Sequence, residues 1–532
     1  VSEALAISHD EAREVAGWLR AVLPSGAALV ADSRAVRPGD AFFAYPGEQA
    51  DGRRFIDRAI AKGAGAIVVE ARGADAIVAD AAVAGGITVP RRDVAGLKHA
   101  CGPIADVYHD HPSAALDVIA VTGTNGKTSC SQWIAQGLQG MGRSCPVIGT
   151  LGAGRAGAFE QTGLTTPDAL GMQALFARFA KGGDQAVAIE ASSIGLHQHR
   201  LDGTRIAVAV YTNLTRDHLD YHGGMQAYAD AKAMLFGWPG LRAAIVNLDD
   251  PWHRQMLAAV APGVLRIGYR IGSATDGLTG DPIGDPIGNP MSAQVDRMLI
   301  ARAIEPAVAG MRIELDGDWG SRSILTPLLG RFNVSNLLAV MATWLALEVP
   351  FEAALAQAMA LRPVPGRLQS VTATDGPAPL VVVDYAHTPD ALANALAALR
   401  PVAQGRGGLL WCVFGAGGDR DPGKRPLMAA AVETLADRVV LTSDNPRSEA
   451  PESILDAVQA GLQGACALRE SDRAAAIARV VAQADASDVV LIAGKGHESY
   501  QEIAGVRHPF DDVEHAAMAL ARRSDTGGAR GV

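Results

Sequence analysis

The sequence predicts an α/β protein with largely parallel sheets, and three observations carry that prediction. Its 532 residues suffice for about three domains, because single cores stop growing well below that length. Short apolar runs, each followed by a polar loop and a helical stretch, recur along the chain, which is the order that lays parallel strands beside crossover helices. One such run, Val118 to Val121, opens directly into Gly123-Thr124-Asn125-Gly126-Lys127-Thr128-Ser129 and then a helix through Leu138. Hydrophobic residues at 48% and charged residues at 20% are those of an ordinary globular protein, so no element needs a fibrous or disordered reading.

Residues 1–112 read as a small α/β domain. A helix is predicted near Asp10 to Leu23, followed by Ala28-Leu-Val, Asp32-Ser33-Arg34, and an apolar strand within Pro38 to Gly47 bracketed by turn residues. A helix from Phe55 to Lys62 leads to the strand Ala66 to Glu70, and Pro112 ends the domain. Spacing alone makes Ser33 and the Gly47 turn ordinary loop chemistry.

Residues 113–364 read as a central nucleotide domain. The glycines of the GTNGKT turn leave backbone N–H groups facing one spot at a helix N-terminus, where the helix dipole also favours an anion. Lys127 adds a full charge, and the Thr128 hydroxyl suits Mg²⁺. A glycine hairpin with a surface lysine would not require this order between a strand and a helix. The loop is a shortened variant, since Val121 stands where a usual Walker A loop has its first glycine. Further strands are predicted at Ala186–Ile189, ending in Glu190-Ala-Ser192-Ser193, at Ile206–Val210, ending in Asn213 to His222, and at Ala243–Val246. Their polar ends collect at one sheet edge, where ligands of parallel sheets bind. His197, His199, His218 and His222 lack the spacing of a zinc set, so a hard Mg²⁺ held by Thr128, Glu190 and phosphate oxygens fits better.

Residues 273–292 hold a tandem Asp-Pro-Ile-Gly repeat, Asp281 to Gly288, predicted as an exposed insertion. Helices are predicted from Gly330 to Leu347 and from Phe351 to Leu361, and Pro363, Pro365 and Gly366 mark a boundary. Residues 365–532 repeat the strand and loop logic. Leu380–Val383 ends in Asp384-Tyr-Ala-His387, Leu409–Phe414 in Gly415 to Asp421, Arg438–Thr442 in Asp444 to Arg447, and Val489–Ala493 in Gly494-Lys-Gly-His-Glu498. Arg420 occupies the third glycine position of a dinucleotide motif, which argues against that motif. Arg420, Asp444, Arg447 and Glu498 together suit a zwitterionic ligand.

A net charge of -10, with no Lys/Arg run, argues against nucleic-acid binding. No apolar run reaches membrane-spanning length, no signal peptide precedes the first polar helix, and five scattered cysteines without paired spacing fit a reducing cytoplasm.

With GTNGKT, Glu190-Ala-Ser-Ser, Asn213-Leu-Thr-Arg-Asp-His218-Leu-Asp, Asp384-Tyr-Ala-His and Asp444-Asn-Pro-Arg447 in this order, the chain resembles the Mur ligases over almost its whole length. The resemblance implies an N-terminal UDP-binding domain, a central ATPase domain and a C-terminal Rossmann-like domain that brings the amino acid. It implies an ATP- and Mg²⁺-dependent ligase of peptidoglycan precursor synthesis that joins meso-2,6-diaminopimelate to UDP-N-acetylmuramoyl-L-alanyl-D-glutamate through an acyl phosphate. By the same resemblance, Ser33, Glu48, Gln49 and Ala50 hold the UDP end, and Thr165, Thr166, Ser192, Gln198 and Arg200 hold the muramoyl dipeptide. Glu190, His218 and a carbamylated Lys232 serve Mg²⁺ with Thr128, and Asn333, Arg367 and Asp384 contact the nucleotide. Arg420, Asp444, Asn445, Pro446, Arg447, Gly494 and Glu498 match the diaminopimelate pocket. Spacing alone makes Lys232 a surface lysine after Tyr228. Glu48, Leu164 and Ile194 depart from the His, Asn and His that the family often has.

Two alternatives stay open. One is a ligase of the same family adding L-lysine, or a folylpolyglutamate-type ligase; the other is a P-loop ATPase used as a switch or motor. A motor has no need of the charged C-terminal strand ends.

Overall fold

A computed structural model of the chain describes residues 7–48, 50–72, 89–272, 294–307, 310–371, 377–464 and 468–527. Gln49, Cys466 and the tandem repeat at 281–288 lie outside the described residues. The chain divides into two compact units, Val1–Gly268 with Asn289–Arg297 and Ala342–Val349, and Tyr269–Gly288 with Met298–Met341 and Pro350–Val532.

The first unit begins with the helix His9–Val22, started by Ser8, whose hydroxyl accepts the Glu11 N–H at 3.1 Å. Four parallel strands follow in spatial order, β1 (Leu29–Val30), β2 (Ala41–Ala44), β3 (Ala66–Glu70) and β4 (Arg91–Val94). Side-chain alternation splits β2 between two cores: Phe43 packs with Val15, Leu19 and Ile104, and Phe42 with Ile56 and Ile67.

The unit continues with β5 (Asp117–Thr122), β6 (Val147–Gly149), β7 (Gly152–Arg155), β8 (Ala158–Glu160), β9 (Ala186–Glu190), β10 (Val208–Tyr211) and β11 (Ala243–Asn247). They lie in the order β11-β10-β5-β9-β6-β7-β8, parallel from β11 to β6, with β7 and β8 returning antiparallel. Every residue of β9, β10 and β11 is buried, which is why these strands read as unbroken apolar runs. The predicted strand at Ile206 starts two residues later, and the helix after the glycine loop runs from Lys127 to Gly140. Gly102, on the helix Leu97–Tyr108, lies so close to Asp202 that a Cβ there would collide with its carbonyl, and a Cβ on Gly203 would stand 2.6 Å from the Gly102 carbonyl carbon.

At β12 (Leu265–Ile271) the chain passes from the first unit to the second. There β13 (Arg297–Ala307), β14 (Gly310–Gly317) and β15 (Arg322–Thr326) form antiparallel pairs that were not among the expected strands. Helices Arg331–Ala346 and Phe351–Ala360 follow as expected. The remainder builds β16 (Gln369–Val371), β17 (Leu380–Asp384), β18 (Leu410–Phe414), β19 (Arg438–Leu441), β20 (Leu468–Arg469) and β21 (Val489–Ala493), in the order β16-β17-β21-β18-β19-β20. All but β16 are parallel. Helices Pro389–Arg406, Lys424–Leu435 and Pro451–Gln459 supply the core of one face, and Arg473–Gln483 and Asp512–Gly527 that of the other. A hairpin of β22 (Tyr500–Ile503) and β23 (Val506–Pro509) precedes the last helix.

Candidate active site

In the first unit the carboxyl ends of β9, β5 and β10 meet at the glycine loop. Gly123 has φ 149°, and a Cβ on it would collide with Thr212 Oγ1, so the loop approaches the β10 end through bare backbone. Gly126, at φ 87°, turns the chain into the helix without a side-chain cap, leaving that helix end open to an anion. The loop is held from β10: Thr124 N donates to Asn213 O at 2.8 Å, Asn125 N to Asn213 Oδ1 at 2.9 Å, and Thr212 Oγ1 to Asn125 O at 2.6 Å. Lys127 Nζ folds back to the carbonyls of Gly123 at 2.8 Å and Thr124 at 2.9 Å, over the loop it serves.

Glu190 is buried at the end of β9 and gathers hydroxyl and amide donors. Thr128 Oγ1 donates to its Oε2 at 3.1 Å, Thr150 Oγ1 to Oε2 at 3.0 Å, and Thr150 N to Oε1 at 2.9 Å. A Cβ on Gly149 would collide with the same carboxylate, so that glycine makes room for it. Hard oxygen donors beside a phosphate cradle suit Mg²⁺.

Lys232 is 1% exposed, with its Nζ 4.4 Å from the centre of the Tyr228 ring. The surface lysine expected from spacing is therefore a core lysine. Burial, and then the charge of Lys127, hold its pKa well below that of an ordinary lysine, while Asp217 opposes them. Tyr228 OH lies 3.1 Å from Thr124 Oγ1, linking this helix to the loop. His218, in left-handed backbone at φ 51°, has its ring 6.4 Å from that of Tyr228, and burial lowers its pKa. A protonated Lys232 would be a poor metal ligand, whereas a carbamate there would carry the oxygen donors a hard metal prefers.

The residues expected to hold the nucleotide sugar and peptide lie in this unit too. Thr166 Oγ1 donates to Glu190 O at 2.7 Å and lies 2.9 Å from Ser192 Oγ; Thr165 Oγ1 is 3.3 Å from Thr150 Oγ1. Arg200 donates to Thr166 O at 2.8 Å and to Gln198 Oε1 at 2.6 Å. Ser33 is buried beside the exposed Asp32–Arg34 ion pair, and Ala50 is exposed. Glu48, where the family often has His, pairs with Lys98 at 2.9 Å, which lowers its pKa. Leu164 is 47% exposed, so the departure there places an apolar side chain in solvent.

In the second unit the parallel pairing of β17, β21, β18 and β19 brings their polar ends to one edge. Asn445 Nδ2 donates to Glu498 Oε2 at 2.7 Å, and the buried Lys495 donates to Asn445 Oδ1 at 3.1 Å and Glu498 Oε2 at 3.0 Å. Arg447, at φ 54°, donates from Nη1 to Gly418 O at 2.7 Å, so it also fastens the loop after β18. Arg420 is exposed on that loop; Pro446 and Gly494 are buried. Burial raises the pKa of Asp444, against the nearby charges of Arg473 and Lys495.

Asn333 is buried and donates from Nδ2 to Leu329 O at 2.9 Å, and Arg367 Cζ stacks 4.6 Å from the Tyr385 ring centre. Both oxygens of Asp384 accept backbone N–H groups, from Leu368 at 2.7 Å and Ala386 at 2.8 Å, which fixes the turn that carries Arg367. Sequence reasoning missed Thr150 and Tyr228 as members of these clusters, and named Lys495 only as part of the polar end of β21 without a role. It also missed His99, which joins His199 and Asp202 in a group whose ligand-type atoms lie within 4.8 Å of one another.

Phosphate-binding geometry on one parallel sheet and paired amino-acid-type charges on another are the equipment of a nucleotide-dependent ligase. Residues 27–109 match the Mur ligase family, catalytic domain, residues 121–344 the Mur ligase middle domain, and residues 366–496 the Mur ligase, glutamate ligase domain. The chain belongs to the Mur ligase family. It is 48% identical over 519 residues to the UDP-N-acetylmuramoyl-L-alanyl-D-glutamate–2,6-diaminopimelate ligase of Acidovorax sp., covering 96% of this chain and 97% of that protein. The ligase of the same name from Pseudomonas aeruginosa is 47% identical, with 93% and 94% covered. A solved structure of a ligase of that name superposes with TM-score 0.63 at 37% identity, covering 94% of this chain and 95% of the other. The MurF ligase of Thermotoga maritima in complex with ADP shares the fold, with TM-score 0.61 at 16% identity, over 94% and 98% of the two chains.

Proposed function

We propose that this chain is an ATP-dependent amide ligase that joins meso-2,6-diaminopimelate to the D-glutamate of UDP-N-acetylmuramoyl-L-alanyl-D-glutamate, releasing ADP and phosphate. The observation that carries the reading is the Asp444-Asn-Pro-Arg447 loop, tied through Asn445 to Glu498 and Lys495, which sets both charge signs at one strand edge. The names of relatives about half identical over nearly the whole chain support the substrate pair.

A carboxylate is a poor acyl donor, so its oxygen first takes the γ-phosphoryl group of ATP, and the amine of diaminopimelate then displaces phosphate from the acyl phosphate to leave an amide. In this reading Gly123 to Ser129 cradle the phosphates, and Lys127 follows the charge as it moves onto the transferred group. Asn333, Arg367 and Asp384 serve the nucleotide; Ser33, Glu48, Gln49 and Ala50 hold the UDP end; Thr165, Thr166, Ser192, Gln198 and Arg200 hold the muramoyl dipeptide. Thr128, Glu190, His218 and a carbamylated Lys232 would hold Mg²⁺, which supplies charge neutralisation at the phosphate oxygens. Arg420, Asp444 to Arg447, Gly494 and Glu498 receive diaminopimelate. The functional domains run 1–112, 113–364 and 365–532. Among the described residues no helix is long and apolar enough to cross a membrane. The cytoplasm is the proposed site of action.

The test is ADP release with each substrate omitted in turn. A ligase needs the nucleotide-sugar peptide and the amino acid together, and diaminopimelate should far outrun lysine. ATP hydrolysis at full rate without either substrate would overturn the reading in favour of a switch.

A further inference from the structure

Arg473 belongs to none of the motifs above, yet its side chain is fully buried, as is that of its partner Asp512. The two form a fork-to-fork pair, Nε to Oδ1 and Nη2 to Oδ2, both at 2.7 Å. Two of the three remaining guanidinium hydrogens go to main chain: Nη2 donates to Ala493 O at 3.0 Å and Nη1 to Ser443 O at 3.3 Å. Ala493 is the last residue of β21, and Ser443 lies just before Asp444 in the loop after β19. These strands are not neighbours, because β18 runs between them. One buried side chain therefore ties together the roots of the two loops, 444–447 and 494–498, whose tips meet through Asn445, Lys495 and Glu498.

We propose that Arg473, anchored by Asp512, is a positioning residue for the amino-acid substrate: it sets the spacing between the loop bearing Arg447 and the loop bearing Glu498 by holding the carbonyls of Ser443 and Ala493, the residues immediately before them. The inference rests on the proposed amino-acid site. A lysine would keep the charge near Asp444 but lose the planar fork, and its single ammonium cannot copy the geometry that holds Asp512 and both carbonyls. Removing one partner of a buried pair leaves an uncompensated charge, but replacing both by apolar groups of similar volume is often neutral for stability. The double change thus separates positioning from folding.

The experiment compares the full-length protein with Arg473→Lys and with the double variant Arg473→Met/Asp512→Leu. KM and kcat are measured for ATP, for the nucleotide-sugar peptide, and for whichever of diaminopimelate or lysine the parent ligates, with thermal unfolding followed in parallel. The expected result is a rise in the amino-acid KM of about tenfold or more in both variants, with the ATP and peptide KM within twofold and the double variant melting close to the parent. An unchanged amino-acid KM in a folded double variant would overturn the proposal. So would an equal rise in all three KM values, or a parent-like amino-acid KM in Arg473→Lys, which would make the role structural or purely electrostatic. A parent that ligates lysine and not diaminopimelate would instead overturn the substrate assignment, with the Arg473 comparison still read on lysine.

Discussion

Thr128 and Glu190 are joined by a 3.1 Å hydrogen bond from the threonine hydroxyl to the carboxylate, linking the first turn of the glycine-loop helix to the end of the adjacent strand β9. Thr150 completes the ring of donors around the same carboxylate. Glu190→Gln keeps the shape and removes the charge. The expected outcome is a fall in kcat of about 10²-fold or more, the scale on which single electrostatic groups act in active sites, with a raised Mg²⁺ requirement. ADP release across a magnesium titration checks it; kcat within twofold of the parent at ordinary magnesium would count against a metal role.

Lys127 adds charge to a loop whose shape is already set by Gly123, Gly126 and the Asn213 contacts. Lys127→Ala is therefore expected to unfold at the parent's temperature and to lose ligation. Near-normal product formation by the folded variant would show that the loop does not need the cation.

Lys232 is buried and biased toward the neutral amine, the form that reacts with carbon dioxide. With ¹³C-bicarbonate, the parent should give a carbamate carbonyl resonance that Lys232→Ala lacks, and that variant should be inactive. A fully active Lys232→Ala protein would end the carbamate hypothesis.

Arg447 faces two demands, because it holds Gly418 O and stands in the loop proposed to receive the distal carboxylate. Removing a charged partner from a buried carboxylate costs on the order of 2 to 5 kcal/mol. Arg447→Ala should lose diaminopimelate ligation by that margin while ATP affinity stays within about threefold. In the parent, lysine should be a poor substrate; equal specificity constants for the two amino acids would show that Arg447 does not read the extra carboxylate.

His497 lies in the second unit with its imidazole pushed down to about 4 by burial and then by the charge of Arg367. It stays neutral in the fold, while the unfolded chain takes up a proton as pH falls through about 6.5. The unfolded state then binds more protons, so stability drops as pH falls from about 6.5 toward 4, by about 2 kcal/mol between pH 7 and pH 5. His497→Gln should flatten this part of the urea-unfolding profile; an unchanged acid slope would mean that the histidine is already protonated in the fold.

The parallel strands and the glycine loop were legible in the sequence because their signals are local. Ala186–Ile189 and Val489–Ala493 are continuous apolar runs, and Gly, Lys and Thr stand within a few residues of one another. The antiparallel β13 to β15 were passed over, because only continuous apolar runs were read as strands, whereas Met311-Arg312-Ile313-Glu314-Leu315 alternates apolar and charged residues as a half-exposed strand does. The site was read best where one segment carries it. Thr150 acts through Glu190, 40 residues on, and Lys495 through Asn445, 50 residues back; only the folded contact reveals either. Lys232 shows the reverse case: local spacing gave a surface lysine, and packing against Tyr228 made it a core residue.

Gly102 and Gly203 bring the helix Leu97–Tyr108 and the turn after Arg200 together main chain to main chain, with no side chain between them to yield. A contact of that kind does not slide. The helix behind the N-terminal sheet is thus fastened to the domain that carries the phosphate cradle, and under the proposed function a substrate reaching from one to the other would be gauged as against a ruler: one shortened by a sugar or a residue would reach one end and miss the other.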